Sequence, residues 1–197
     1  MSPDPDIRAA PAAFESFVEL ARRRRTPLLC DAHRPVADEL IEQLVDLVRW
    51  APSHKRTWPW RVTVVTDDGR RHLGEALATD MVGAGWADDH PKVRKTRVKY
   101  TRAAVVLVIG AAPHEDPRLR MENRYAVAAG IQNLLLGATA TGLAAFWGSP
   151  PPGEHGTALA VCGLPPDTEI VGLVYLGWPT ATPPTPERPV IRAARLS

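Results

Sequence analysis

The run from Ala103 to Gly110, AAVVLVIG, limits what this chain can fold into more than any other feature. It is near-continuously apolar, lacks polar alternation and is short enough for a strand, so it predicts a strand buried on both faces, central in its sheet. The β-branched segment RVTVVT, residues 61–66, reads as a second strand, Leu143 to Trp147 as a short third, and EIVGLVYLG, residues 169–177, as the last.

Helical spacing occupies much of the rest. Residues 13–25 place Phe14, Phe17, Val18 and Ala21 on one face and run into four consecutive arginines, after which Pro27 opens a loop to Pro35. Val36 to Trp50 carries Leu40, Leu44, Leu47 and Val48 on one face, with Asp38 and Glu39 in the first turn, where the helix dipole favours them. Arg70 to Gly83 and Thr157 to Cys162 are further helices, and the charged stretch Gly85 to Thr101 reads as a mobile helical excursion. Residues 118–142, RLRMENRYAVAAGIQNLLLGATATG, form the longest pattern. Its Ala and Gly content would let another helix approach closely, and Gly142 is a stop signal.

This order, helices first and then strands divided by one long helix, favours a mixed α+β sheet over a regular βαβ winding. At 197 residues and 45% hydrophobic content the chain supports one sizeable core, so residues 1–197 are read as a single domain. Residues 1–12 are expected to be flexible and the Pro-rich residues 180–197 to form an extended tail. Such a tail has no core of its own and needs a surface to lie on, for which a partner subunit is a candidate.

Several function classes lose support. Twenty-four Lys plus Arg against 22 Asp plus Glu leave a charge of +2, too near balance for a nucleic-acid protein, although Arg22 to Arg25 and Lys92 to Arg102 are locally basic. No apolar stretch reaches the roughly 20 residues of a membrane span and no secretory signal is visible, so the expectation is a cytoplasmic protein without a membrane partner. Cys30 and Cys162 lack CxxC or CxxH company and read as reduced thiols. The six histidines show no metal-ligand spacing, and GxSxG, HExxH, GxxxxGK[ST] and a strand-to-helix GxGxxG are all missing.

Three segments remain that suit a flat, anionic ligand. Arg22 to Arg25 followed by Thr26 offers guanidinium forks and a hydroxyl for phosphate or a polar ring edge, although alone it is also an ordinary solvated helix end. APSHKRTWPW, residues 51–60, packs a histidine, two basic residues and two tryptophans into a loop before a strand. AFWGSPPPG, residues 145–153, breaks a strand at Gly148 and Ser149, freeing backbone N–H groups, as any strand end does.

Together, in this order, the three segments resemble the nitroreductase family of FMN-dependent oxidoreductases, most closely its short, minimal bacterial subgroup. Arg24, Arg25 and Thr26 stand where that family has Arg-Arg-Ser. Ala51, Pro52, Ser53, Pro59 and Trp60 match its Ala-Pro-Ser and Pro-Trp, and His54 and Lys55 match the His-Lys of the subgroup. Gly130, Asn133, Leu134 and Gly142-Leu143 resemble the pattern of its central dimerising helix, Trp147, Gly148 and Ser149 its Trp-x-Ser turn, and residues 170–179 its last core strand. Trp58 replaces the usual Gln, Arg56 replaces a frequent Asn, and PLLCD lacks an Arg common after the first motif.

The resemblance implies an α+β fold with a mainly antiparallel sheet flanked by helices and the long helix at a homodimer interface. It implies FMN bound between subunits, NADH or NADPH as electron donor, and a small-molecule acceptor such as a nitroaromatic, quinone or enone. The cofactor-binding residues it suggests are Arg24, Arg25, Thr26, His54, Trp58, Trp147, Gly148 and Ser149, with Arg188 of the tail as a further phosphate contact. No catalytic side chain is expected, because a flavin carries its own chemistry. The alternative is an FMN-binding or flavin-storing relative in which Trp58 lies where substrate should stack.

Overall fold

The computed structural model describes residues 10–27 and 30–196. Helix α1 spans Ala10–Arg23, strand β1 Cys30–Asp31, α2 Asp38–Asp46 with a 3-10 turn Leu47–Trp50, and β2 Trp60–Val65. Then follow α3 (Gly69–Gly83), α4 (Pro91–Val98), β3 (Val105–Ala111), α5 (Pro117–Ala140), β4 (Ala144–Gly148), α6 (Gly156–Val161) and β5 (Glu169–Pro179). The five strands form one sheet in which β5 pairs with β1, β3 and β4, and β3 pairs with β2. All four pairings are antiparallel.

The lack of alternation in AAVVLVIG has its cause here. Every residue of β3 is buried. Val105, Leu107 and Ile109 join α2 and α5 in one core, whereas Val106 and Val108 meet Leu73, Ala76 and Leu77 of α3 and Ala158 of α6 in the other. Successive strand residues thus serve opposite faces, and helices cover both. Asp80 of α3 fastens the second layer, its carboxylate accepting from the backbone N–H groups of Thr157 (2.8 Å) and Ala158 (3.0 Å) at the start of α6.

The small residues of α5 do admit a close neighbour, and it belongs to the same chain. A Cβ on Gly130 would lie 2.6 Å from the Val48 carbonyl oxygen, and one on Gly137 would lie 2.9 Å from Leu44 Cδ2. Asn133 Nδ2 also donates to the Leu47 carbonyl at 3.3 Å. The close approach is therefore with α2 and its 3-10 extension. Gly142 ends the helix with φ +79°, the left-handed conformation that glycine adopts without strain.

Two expectations change. The loop before Pro35 contains β1, whose two residues pair with Trp178 and Pro179, and Trp178 Nε1 donates to the Pro35 carbonyl at 3.0 Å. The charged excursion is docked: Val93 of α4 and Tyr100 are fully buried, with the α4 charges outward. Of residues 1–12, expected to be flexible, 1–9 lie outside the described residues and Ala10 to Ala12 are helical. From Thr180 to Leu196 the tail has no regular structure, and most of its residues are exposed. No described helix is long and apolar enough to cross a membrane.

Candidate functional site

The arginine block ends α1 at Arg23 and runs on into irregular chain, where the tail meets it at Arg25. Arg25 Nη2 donates to Thr185 Oγ1 at 2.7 Å, and Arg24 Nη1 donates to Thr26 Oγ1 at 3.2 Å. Arg25 and Arg188 line a cavity of about 980 Å³ with Phe14, Phe17, Thr185 and Pro186. Partial burial, followed by the neighbouring charges of Arg188 and Arg25, holds the Arg24 guanidinium below its ordinary pKa. Among the described residues no carboxylate pairs with Arg24, Arg25 or Arg188, although Glu19 pairs with Arg23 nearby. Cations pressed together without a counter-ion form a receptor for an anion.

The second segment is a strained loop. Lys55 (φ +52°), Arg56 (φ +53°) and Trp58 (φ +47°) all occupy the left-handed region, which costs a residue with a Cβ about 1–2 kcal/mol. A polar network holds them there. Ser53 Oγ lies 3.1 Å from Thr57 Oγ1 and accepts from the Trp58 N–H at 3.3 Å. Thr57 Oγ1 donates to Asn123 Oδ1 at 2.5 Å, and Asn123 Nδ2 donates to the Ala112 carbonyl at 3.1 Å. Asn123, only 3% exposed, ties the loop to α5 and the end of β3. Beside it His54 Nδ1 meets Glu122 Oε2. The His54 ring, and then the Arg118 guanidinium, hold the Glu122 carboxyl below the usual carboxylate range. Trp58 remains exposed.

In the third segment the Trp147 indole covers Gly172 of β5, with its Cδ1 2.7 Å from where a Cβ would stand. Only glycine leaves room for that ring. Gly148 pairs with Leu173 as the last residue of β4, one position later than expected for a strand ending at Trp147, and Ser149 is exposed just beyond.

Within one chain the three segments stay separate groups, with no described hydrogen bond joining them. The structure places Arg188, the further contact expected from the tail, beside the first group, and it adds Thr185 there and Ser53, Thr57, Glu122 and Asn123 to the second. Of these, Thr57, Thr185, Glu122 and Asn123 had no signal in the sequence, since their roles come from partners distant along the chain. Among the described residues no group of three His, Cys, Asp or Glu could hold a metal ion.

Similar proteins share this frame. A protein of Escherichia coli (strain K12), provisionally named NAD(P)H nitroreductase YdjA, is 28% identical over 163 residues, which cover 82% of this chain and 87% of that protein. A nitroreductase-like family protein from Bacillus cereus superposes with a TM-score of 0.74 at 20% identity, covering 96% of this chain and 94% of its own. The FMN-dependent nitroreductase NfnB from Mycobacterium smegmatis, solved with NADPH, gives a TM-score of 0.73 at 19% identity over 93% of this chain and 100% of its own. The model of the Nitroreductase family matches residues 21–178, from the arginine block through the closing strand, and this chain belongs to that family.

Proposed function

We propose that this protein is an FMN-dependent oxidoreductase that passes hydride from NADH or NADPH, by way of the flavin, to a small acceptor such as a nitroaromatic, quinone or enone, acting as a cytoplasmic homodimer. The observation that carries the reading is the cluster of Arg24, Arg25 and Arg188, with no carboxylate partner among the described residues, whose positive charge suits a phosphate. The names of the relatives support the same chemistry.

Bound flavin supplies the hydride-carrying chemistry, so the chain has to bind, orient and shield. Arg24 and Arg25 hold the phosphate end, with Arg188 brought in by the Arg25–Thr185 contact and Thr26 as a hydroxyl partner. His54 and Trp58, fixed by the Ser53–Thr57–Asn123 network, form one wall of the ring site. Trp147, Gly148 and Ser149 form another, the indole held flat by Gly172. A homodimer would bring the separate groups together. Its support is the uncovered apolar face of α1, with Phe14 66% and Phe17 54% exposed, and the exposed Val190 and Ile191 of the tail.

The decisive experiment is a visible spectrum of the purified protein before and after anaerobic addition of each nicotinamide, with the released chromophore identified. Bleaching of FMN by either nucleotide supports the oxidoreductase. The exposed, strained Trp58 favours one other reading, a flavin-holding protein without turnover. In that case FMN is bound but neither nucleotide bleaches it, and Trp58→Gln restores bleaching.

A further inference from the structure

A second cavity, of about 600 Å³, is lined by Arg49, Trp50, Trp58 and Trp60 and so shares Trp58 with the ring site. Its walls are held in place. Asp46 accepts from Trp50 Nε1 at 3.0 Å through one oxygen and meets Arg49 Nε at 2.5 Å through the other. The Arg49 guanidinium lies 5.4 Å from the Trp50 ring centroid, and its terminal nitrogens make no hydrogen bond among the described residues. Trp58 and Trp60 have ring centroids 5.7 Å apart, and the Ser53 hydroxyl holds Trp58 in its left-handed backbone.

The cleft therefore offers indole faces and a guanidinium edge whose outer donors are free. Trp50 is 70% and Trp58 56% exposed, a large aromatic area left to water. Lys55 and Arg56, in the same loop as Trp58, are exposed and make no ion pair among the described residues, so Asp46 is outnumbered by cations here. A flat ring recovers stacking and apolar burial on the indoles, and an anionic substituent on it pairs with the free edge of the guanidinium. The volume lies within the usual range for a small-molecule site.

We propose that this cleft binds a planar aromatic ring carrying an anionic substituent, with the ring against Trp50 and Trp58 and the anion on Arg49. Two sources share that chemistry: an aromatic carboxylate that also bears a reducible nitro or quinone group and serves as electron acceptor, and the adenosine 2′-phosphate end of NADPH. Either role in turnover rests on the flavin reading above, whereas the binding itself does not.

Isothermal titration of the full-length protein as purified tests it, with 2-naphthoate against 2-naphthalenemethanol and 2′-AMP against adenosine. FMN content is read separately from the flavin absorbance. At least one anion should bind about tenfold tighter than its neutral counterpart, equivalent to ~1.4 kcal/mol. Arg49→Gln should erase that ratio and Trp50→Leu should weaken both members of the pair, with thermal stability and FMN content unchanged. A preference for 2′-AMP assigns the cleft to the donor, and one for naphthoate assigns it to the acceptor. Equal binding of charged and neutral forms, or no effect of either substitution, overturns the proposal. So does a wild-type protein that binds no probe while Trp50→Leu turns a dimer into a monomer, which would give this face to a second copy. A protein that takes up no FMN yet keeps the anion preference upholds the cleft and refutes the flavin reading.

Discussion

Strand β3 and the loop that precedes β2 solve opposite problems. In β3 no residue has left-handed backbone, each residue is apolar or glycine, and burial on two faces supplies the stability. The loop from Ser53 to Pro59 buries little, keeps three residues in left-handed backbone and is held by its own hydroxyl hydrogen bonds and by one from Thr57 to a buried asparagine. Burial tolerates strain poorly because packing is collective, whereas a hydrogen-bonded clamp can hold a costly conformation at a surface. Stability and shape thus come from different parts of the molecule, and the part under strain carries one of the three candidate groups.

That contrast can be broken at its strong end first. Leu173→Ala removes a fully buried side chain of β5 and should cost about 3 kcal/mol in urea unfolding, with FMN affinity in the surviving folded fraction little changed. Asn123→Ala should cost less, roughly 1–3 kcal/mol, since it leaves the Ala112 carbonyl and Thr57 hydroxyl without their partner. It should weaken FMN binding about tenfold, ~1.4 kcal/mol by fluorescence titration. If both variants lost flavin affinity equally, the division between core and clamp would be wrong. Lys55→Gly should raise stability by about 0.5–1 kcal/mol by relieving a left-handed residue, visible as a higher urea midpoint.

The smallest effect is in pH. Glu122 has a lowered pKa in the folded protein, so its contribution is present above its ordinary value of 4.5 and is lost as pH falls through the lowered folded value. The wild type and Glu122→Gln should therefore differ in melting temperature at pH 7 and converge toward pH 3. A constant difference across that range would show that the His54–Glu122 contact contributes no charge-dependent stability.

What could be read from the chain alone follows the same division. The apolar run of β3, the β-branched run of β2 and the long small-residue helix are local patterns, and each became the expected element within a few residues. Strand β1 was not legible, because Cys30 and Asp31 are a strand only through their register against Trp178 and Pro179. The docking of α4 was hidden by its charges, since only Val93 and Thr96 of the helix itself, with Tyr100 just beyond it, are buried. In the site, the arginine block and the histidine–tryptophan loop were visible as compositional oddities. Their partners were not: Thr57 meets Asn123 across 66 positions, His54 meets Glu122 across 68, and Arg25 meets Thr185 across 160. Pairings at such separations have no periodicity to betray them.

The hub role of β5 bears on how the protein is made. It is the final regular element in the chain, yet β1, β3 and β4 all take it as their partner. While the ribosome is still adding residues 169–179, β3 can be paired only with β2, and its other edge stands open with its apolar residues. Sheet assembly must therefore wait until residues 169–179 have emerged, and a nascent chain stalled before β5 presents a ready template for aggregation.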